Sequence, residues 1–247
     1  RQLLHITTNF LFMVHVLKTV SILGSTGSVG KNTLEVISSL SDRFHVYAIS
    51  CNRNTSLLHE QIIKYKPRVA VITNHEKYTE FLNEYGNEVD ATRILFVDEG
   101  LNEISSHDDV DIVVAAIVGF ECLRPTINAL STNKTVIIAN KEILVAAGEM
   151  LISTLSKSDA KLIPVDSEHN ALLQILLSSG LEYKINNREY YESNINHLTI
   201  TASGGPFIDL DISEFKNIKS KDAIKHPTWD MGQKISVDSS TMMNKGL

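Results

Sequence analysis

The sequence has few cysteines and no excess of positive charge. Cys51 and Cys122 are the two cysteines among 247 residues, too few for a disulfide framework and not spaced as zinc ligands. Both thiols are therefore predicted to be structural, in a reducing compartment. The formal net charge of −6 argues against nucleic acid as a partner, because no basic stripe offsets it.

Long apolar runs are also missing. The run at 11–14 is too short to span a bilayer and has no small-residue cleavage site, which argues against a membrane segment and a secretory signal. Residues 1–18 are interpreted as an N-terminal extension, in which Met13 is a candidate start. The residues before Met13 would then be upstream translation or the remnant of a transit peptide. The abrupt end after Leu247 predicts that the chain is a fragment.

Short β-branched runs alternate with helical stretches along the first two thirds of the sequence. The predicted strands are Thr19–Leu23, Phe44–Ile49, Arg68–Ile72, Arg93–Val97, Ile112–Ala116 and Thr135–Ile138. Helical patterns lie between them, for example over 31–40 and 57–65. Strands that hardly alternate in polarity are typical of a sheet buried on both faces. The pattern predicts an α/β fold with a doubly wound, mostly parallel, Rossmann-like sheet.

The character of the sequence changes past Pro164. The polar, Asn- and Tyr-rich stretch 180–197 is predicted to be a surface loop or insertion, and His197–Thr201 is predicted to be a strand. We place a nucleotide-binding domain at 19–163 and the start of an α+β catalytic domain, truncated at its C-terminal end, at 164–247.

A glycine-rich segment, Gly24-Ser-Thr-Gly-Ser-Val-Gly30, joins the first strand to the first helix. Its glycines permit a tight turn and close approach of the backbone to a pyrophosphate at the helix N-terminus. The spacing is GxxGxxG, so an ordinary β–α turn is the alternative to a dinucleotide site. No acid follows the second strand, where NAD enzymes place one. Arg53 favours NADP by pairing with its 2′-phosphate, unless it is a solvated surface arginine.

Two carboxylates, Asp166 and Glu168, follow Pro164 at the expected carboxyl edge of the sheet. On an extended segment both would point the same way, and a hard cation such as Mg²⁺ or Mn²⁺ would relieve their repulsion. The equally good alternative is a helix N-cap near Ser167 with Glu168 in the first helical turn.

Other polar segments also allow two interpretations each. Lys141 either contacts a substrate oxygen or is a surface residue at a helix start. The turn at Ser203-Gly-Gly-Pro206 either presents donors to an anion or only turns the chain. Trp229, the single Trp, either belongs to a lid that excludes water or packs in the core. Ser239, Asn244 and Lys245 either hold a phosphate or form a polar helix start.

Taken together, these segments resemble the 1-deoxy-D-xylulose 5-phosphate reductoisomerase family. The matching stretches are Gly24–Gly30, Ala115–Gly119, Ala139–Glu142, Pro164–Asn170, Ser203–Phe207, His226–Gly232 and Lys234–Leu247. The two longest motifs are Pro-Val-Asp-Ser-Glu-His-Asn at 164–170 and Val-Asp-Ser-Ser-Thr-Met-Met-Asn-Lys-Gly-Leu at 237–247.

The resemblance implies that NADPH is the cofactor, with Mn²⁺ or Mg²⁺ as the metal and Co²⁺ as a further candidate. The implied cofactor residues are Thr26, Gly27, Ser28, Val29, Arg53, Asn54, Asn140, Glu142 and Gly232. The family usually has Gly-Lys-Asn where this chain has Asn52-Arg53-Asn54, which keeps the cation. Asp166 and Glu168 would be metal ligands. The family's third ligand is a Glu directly after Asn-Lys-Gly-Leu, just past the last residue here, so weak metal affinity and very low turnover are expected.

The resemblance also implies a phosphorylated ketose as substrate. The implied substrate contacts are Lys141, Ser167, Glu168, Ser203, His226, Ser239, Asn244 and Lys245. Of these, Lys141, Glu168 and His226 would be catalytic. The family's reaction breaks and remakes a carbon–carbon bond and then reduces the resulting aldehyde with NADPH. A homodimer is expected when the chain is full length, cytoplasmic in bacteria and plastid-located in eukaryotes.

Two other functions compete with this interpretation. A metal-free NADP oxidoreductase, such as a semialdehyde dehydrogenase, would need a catalytic cysteine, and neither Cys51 nor Cys122 has a suitable neighbouring motif. A non-catalytic nucleotide-binding domain would not need the Asp166–Glu168 pair together with the polar cluster at 239–245.

Overall fold

The computed structural model describes residues 16–89, 91–181, 188–202, 204–226, 233–241 and 243–246. They fall into two compact units, Arg1–Val113 and Val114–Leu247. The expectations for Met13, Ser203, Trp229 and Gly232 concern residues outside the described ranges. The predicted boundary between 163 and 164 stays a prediction.

The first unit alternates strands and helices. Its elements are β1 (Lys18–Leu23), α1 (Ser28–Ser39), β2 (Phe44–Cys51), α2 (Thr55–Tyr65), β3 (Val69–Ile72), α3 (His75–Tyr85), β4 (Arg93–Phe96) and α4 (Val97–Ser106). Asparagines begin two of the helices: Asn54 Oδ1 accepts from Leu57 N, and Asn74 Oδ1 accepts from Lys77 N. Such caps satisfy N–H groups that a helix leaves unpaired at its start.

The second unit continues the alternation and then becomes mostly helical. Its elements are β5 (Ile112–Ala115), which begins in the first unit, α5 (Leu123–Ser131), β6 (Thr135–Ile138), α6 (Glu142–Leu155), β7 (Lys161–Pro164), α7 (Ser167–Ser178), α8 (Arg188–Asn194), α9 (Ser220–Ala223), α10 (Gln233–Ser240) and α11 (Met243–Gly246). Short 3₁₀ helices lie at Phe120–Cys122 and Ile212–Asn217.

The strands form one seven-stranded sheet in the order β4-β3-β2-β1-β5-β6-β7. The pairs β1–β2, β2–β3, β3–β4 and β6–β7 are parallel. Ile22, Ile49 and Val71, on three neighbouring strands, are fully buried, because helices cover both faces of a parallel sheet. The doubly wound α/β fold expected from the sequence is confirmed.

Two local expectations were wrong. The segment predicted as a strand at 197–201 has no strand, and its Leu198 and Ile200 are exposed by 57% and 38%. The stretch 180–197, predicted as a surface loop or insertion, is not a loop throughout, because it contains α8. Of the two alternatives for Asp166 and Glu168, the backbone follows the helix start and not the extended segment, because α7 begins at Ser167 and Glu168 lies in its first turn.

Both cysteines are buried parts of the fold. Burial raises the pKa of Cys51 to about 12, and burial also raises the pKa of Cys122 against the hydrogen bond of Thr126. Because the thiolate is the reactive form, we expect a water-soluble thiol reagent near neutral pH to modify the folded chain far more slowly than the urea-unfolded chain. Mass spectrometry of both samples measures the rate ratio. Rapid labelling of either cysteine in the folded chain would contradict this prediction.

Among the described residues, none of the helices is long and apolar enough to cross a membrane.

Candidate functional site

The glycine-rich loop connects β1 to α1 within the first unit. Gly24 has a φ of 89°, a left-handed conformation that suits glycine. Gly27 is the N-cap of α1, and no side chain caps this helix. Gly27 and Ser28 are exposed, while Thr26 and Val29 are half-buried. An uncapped helix start of this kind directs N–H groups and a positive dipole end outward, so the loop fits the pyrophosphate of a dinucleotide.

Gly30 allows α1 to approach its own loop closely. A Cβ atom at this position would lie 2.3 Å from the carbonyl oxygen of Gly24 and 2.5 Å from Cα of Ser25. Both neighbours are backbone atoms, so no side-chain rearrangement could make room. The third glycine of the motif is therefore required by helix packing, which is the role that the third glycine has in dinucleotide-binding loops.

A buried polar cluster, not foreseen from the sequence, lies beneath this loop. Ser25, Ser50 and Gln61 are exposed by 0%, 0% and 5%, and they hydrogen-bond to one another and to the loop backbone. The one sequence signal is that Gln61 lies between the apolar residues Leu58 and Ile62 on α2.

The proposed 2′-phosphate corner follows β2. Arg53 and Asn54 are both exposed. The Oδ1 atom of Asn54 already accepts a hydrogen bond from Leu57 N at 3.2 Å. Asn52 donates from Nδ2 to Thr73 Oγ1 at 2.7 Å, which anchors the turn to the neighbouring strand end. Arg53 is thus presented on a fixed turn, and its guanidinium fork suits phosphate oxygens.

Asn140 has a structural role that sequence reasoning missed. It is 4% exposed, and its Nδ2 donates to the carbonyl oxygens of Ile117 and Gly119, each at 2.8 Å. Its Oδ1 accepts from Ile143 N at 3.3 Å. The amide therefore joins the loop after β5 to the start of α6. Its neighbour Glu142, the first residue of α6, is half-buried.

A charged cluster in the second unit joins the starts of α6 and α7 to α11. Lys141, whose side chain is 13% exposed, donates from Nζ to Asp166 Oδ2 at 3.2 Å and to the carbonyl oxygen of Asn244 at 2.6 Å. Lys141 also contacts Asn244 Oδ1. His169 Nδ1 lies 2.8 Å from Asp166 Oδ1. Lys141 is thus mostly buried and is not the surface residue that the alternative interpretation described.

Asp166 is held ionised within this cluster. Burial acts to raise its pKa, but the hydrogen bonds with His169 and Lys141, and the charge of Lys141, outweigh burial and hold that pKa well below its usual range. Although Asp166 occupies the N-cap position of α7, its side chain makes no capping hydrogen bond. The N-cap alternative is therefore right about the backbone, since Asp166 precedes the first turn of α7. The Asp166 carboxylate does not cap the helix and is available to other groups.

The donor set around Asp166 fits a hard divalent cation. Asp166, at the N-cap of α7, and Glu168, in its first turn, bring two carboxyl groups to the start of this helix, and Ser167 Oγ donates to Glu168 Oε2 at 2.8 Å. Oxygen ligands of this kind suit Mg²⁺ or Mn²⁺. Among the described residues no group of three or more His, Cys, Asp or Glu side chains forms a metal site, so other oxygens would have to complete the coordination.

The residues expected to grip a phosphate are partly brought together. Gly204 and Gly205 have positive φ values of 93° and 69°, and a Cβ on Gly205 would lie 2.8 Å from the carbonyl oxygen of Ser239. The glycine turn therefore packs directly on the end of α10, where Ser239 is half-buried. Asn244 contacts Lys141 instead. Ser203 and the side chain of Lys245 lie outside the described part of the chain, and His226 is half-buried.

Comparison with protein families gives two matches that cover most of the chain. The family model described as 1-deoxy-D-xylulose 5-phosphate reductoisomerase matches residues 20–148, and the model of that enzyme's C-terminal domain matches residues 162–247. Proteins named 1-deoxy-D-xylulose 5-phosphate reductoisomerase from Halothermothrix orenii and Chloroherpeton thalassium are each 42% identical to this chain, over 93% and 94% of it respectively and 56% of each relative.

Solved structures give the same result. A crystal structure of DOX-P reductoisomerase in complex with NADPH, fosmidomycin and magnesium has a TM-score of 0.82 and 39% identity, over 93% of this chain and 56% of its own. The Zymomonas mobilis reductoisomerase in complex with NADPH has a TM-score of 0.80 and 34% identity, over 94% and 56%. The chain thus spans little more than half the length of these relatives.

Proposed function

Because the chain belongs to the 1-deoxy-D-xylulose 5-phosphate reductoisomerase family, we propose that it serves the reaction for which the family is named. That reaction is the NADPH- and metal-dependent conversion of 1-deoxy-D-xylulose 5-phosphate to 2-C-methyl-D-erythritol 4-phosphate, a step of non-mevalonate isoprenoid synthesis. The observation that most supports the proposal is the Lys141–Asp166–Glu168 cluster, in which a mostly buried ammonium lies 3.2 Å from Asp166 Oδ2 beside a second carboxyl group.

The glycine-rich loop would hold NADPH through Thr26, Gly27, Ser28 and Val29. The uncapped start of α1 favours the pyrophosphate, and Arg53 favours the 2′-phosphate by charge. Bound NADPH supplies the hydride. Asn140, which joins two loops through its buried amide, would help to hold the cofactor, and Glu142 and Gly232 are the other proposed cofactor residues of this part of the chain.

Asp166 and Glu168 would hold the metal, for which Mg²⁺ and Mn²⁺ are the candidates. A metal held there would supply Lewis-acid chemistry to the carbonyl and hydroxyl oxygens of the substrate. Lys141 would place a second positive charge near the same oxygens and would favour negative charge that develops on them. His169 keeps Asp166 oriented through the 2.8 Å contact of Nδ1 with Oδ1, as partners of metal ligands commonly do.

The substrate phosphate would be bound by the glycine turn at 204–205 and the end of α10. Ser203, Ser239, Asn244 and Lys245 are the proposed contacts, and the packing of Gly205 on Ser239 supports this grouping. Remote binding of a phosphate fixes the orientation of the reacting carbons. Ser167 and His226 complete the proposed substrate contacts. The homodimer expected from the sequence is kept as part of this proposal.

A ligand-binding experiment on this chain tests the proposal directly. We expect NADPH to quench or shift the protein fluorescence when it binds. We expect fosmidomycin, a ligand in one of the similar structures, to bind measurably only when Mn²⁺ or Mg²⁺ is present. Isothermal titration calorimetry with and without EDTA measures how far fosmidomycin affinity depends on the metal. Binding of fosmidomycin that is unaffected by EDTA would contradict the proposed metal site.

An activity assay complements the binding experiment. NADPH oxidation in the presence of 1-deoxy-D-xylulose 5-phosphate is expected to be slow for this chain and fast for a protein extended at its C-terminal end to the length of its relatives. Product analysis for 2-C-methyl-D-erythritol 4-phosphate identifies the reaction. An extended protein that binds NADPH and metal but forms no such product would exclude the proposed function.

A further inference from the structure

Gln61 makes a reciprocal pair of hydrogen bonds with one residue of the glycine-rich loop. Its Oε1 accepts from Ser25 Oγ at 2.6 Å, and its Nε2 donates to the carbonyl oxygen of Ser25 at 3.0 Å. Gln61 lies on α2, 36 positions away from Ser25 in the sequence. The amide oxygen and the amide nitrogen of Gln61 thus both bond to a single loop residue.

Ser50, at the end of β2, ties down the same part of the loop. The backbone N of Ser25 donates to the carbonyl oxygen of Ser50 at 2.8 Å, and that oxygen also lies 3.2 Å from Ser25 Oγ, whose proton has its shorter contact with Gln61. The Oγ of Ser50 accepts from Gly24 N at 2.9 Å. Gly24 and Ser25 are therefore fixed from two sides, by α2 and by β2, directly before the residues that would contact the pyrophosphate.

Core packing alone does not account for a glutamine at this position. Gln61 lies on the buried face of α2 with Leu58 and Ile62, where an apolar side chain would avoid the desolvation of an amide. Fully satisfied buried networks specify one backbone arrangement. A loop whose N–H groups must converge on an anion needs such an arrangement before the anion arrives, because ordering it on binding weakens affinity.

The same helix carries the second phosphate corner. Asn54 is the N-cap of α2, Arg53 precedes it, and Gln61 lies about two turns further along. A rigid helix therefore joins the two places at which a dinucleotide phosphate would bind, and both lie in the first unit.

We propose that Gln61 is a positioning residue for the nucleotide, which holds the glycine-rich loop at Ser25 in the conformation that receives the pyrophosphate and fixes its distance from Arg53. The inference rests on the NADPH binding of the proposed function. It predicts that Gln61 acts on cofactor affinity without touching the cofactor.

The test compares Gln61→Met with Ile62→Ala. Met keeps the length of Gln and removes both hydrogen bonds to Ser25. Ile62→Ala removes core volume from the same helix, at a residue that is 3% exposed, and removes no hydrogen bond, because the Ile side chain is apolar. We expect Gln61→Met to raise the NADPH dissociation constant about tenfold, the effect of a lost buried hydrogen bond. In the absence of NADPH, we expect the backbone amides of segment 24–30 to exchange hydrogen faster in Gln61→Met than in the unsubstituted chain. Ile62→Ala should lower the urea midpoint of unfolding and leave the NADPH dissociation constant and the amide exchange of segment 24–30 near their original values.

Each result decides a separate question. The positioning role would be overturned if Gln61→Met changed neither NADPH affinity nor the hydrogen exchange of the loop amides. It would also be overturned if Ile62→Ala changed both quantities as much as Gln61→Met does. Failure of the unsubstituted chain to bind NADPH would instead contradict the proposed function, and loop exchange alone would then decide whether Gln61 positions the loop.

Discussion

Replacement of Gly30 by alanine is expected to destabilise the first unit by about 3 kcal/mol or more and to abolish NADPH binding. The added Cβ would meet Gly24 O at 2.3 Å and Ser25 Cα at 2.5 Å, well inside van der Waals contact. Because the obstructing atoms are backbone, either α1 moves away from β1 or the loop opens. The higher helix propensity of alanine recovers only about 1 kcal/mol.

A graded set of glycine substitutions separates this clash from a general effect of alanine. At Gly27 a Cβ would lie 3.4 Å from Gly24 O, an ordinary contact, and at Gly86 it would meet nothing within 4 Å. Gly86 has right-handed helical angles, φ −53° and ψ −37°, so Gly86→Ala is expected to be neutral or to stabilise the chain by up to about 1 kcal/mol. Gly27→Ala should cost less than Gly30→Ala.

Urea unfolding followed by circular dichroism, with NADPH titration of each folded variant, measures the series. We expect Gly86→Ala to be the most stable variant, Gly27→Ala to be intermediate and Gly30→Ala to be the least stable. A Gly30→Ala variant as stable as Gly86→Ala would show that α1 does not pack on the loop as described. If Gly30→Ala does not accumulate as folded protein while the other two do, the order is the expected one.

The sheet could be predicted from the sequence because its strands are short, β-branched and buried on both faces. That reasoning failed at 197–201, where Leu-Thr-Ile has the same local character but Leu198 and Ile200 are exposed. The β propensity of a residue depends mainly on how its side chain packs against a neighbouring strand. The sequence of one segment does not show whether such a neighbouring strand exists. Helix α8 was missed because its seven residues, Arg-Glu-Tyr-Tyr-Glu-Ser-Asn, show no apolar period.

The candidate site was predictable in its residue types and less so in its geometry. The sequence allows either an extended segment or a helix start for the Asp166–Glu168 pair, and the structure has the helix start, because α7 begins at Ser167; a helical turn therefore sets the spacing of the two residues. The roles of Gln61 and Asn140 could not be foreseen, because the atoms that receive their amide N–H groups belong to Ser25, Ile117 and Gly119, more than twenty residues away. A buried amide is recognised from sequence only when its partner is near in the chain.

The cluster around Asp166 gives the second large expected effect, on metal affinity. Asp166→Asn keeps the shape of the side chain and its ability to accept a hydrogen bond, but it removes the negative charge that attracts a cation. We expect Mn²⁺ affinity, measured by isothermal titration calorimetry, to fall by at least the roughly 100-fold that loss of even an outer-sphere partner can cause. Asp211→Asn makes the same charge change in the same unit, at an exposed residue whose Oδ1 accepts from Ser213 N, and should leave Mn²⁺ affinity unchanged.

Lys141→Gln is expected to act in the opposite direction. The Lys141 ammonium lies 3.2 Å from Asp166 Oδ2, so it neutralises part of the charge that a metal would use and repels the metal itself. Its removal should raise Mn²⁺ affinity, although it removes a residue proposed to be catalytic and should therefore lower turnover. If Asp166 served only an ion pair with Lys141, neither substitution would change Mn²⁺ binding. Opposite signs for the two substitutions therefore distinguish a metal site from a structural salt bridge.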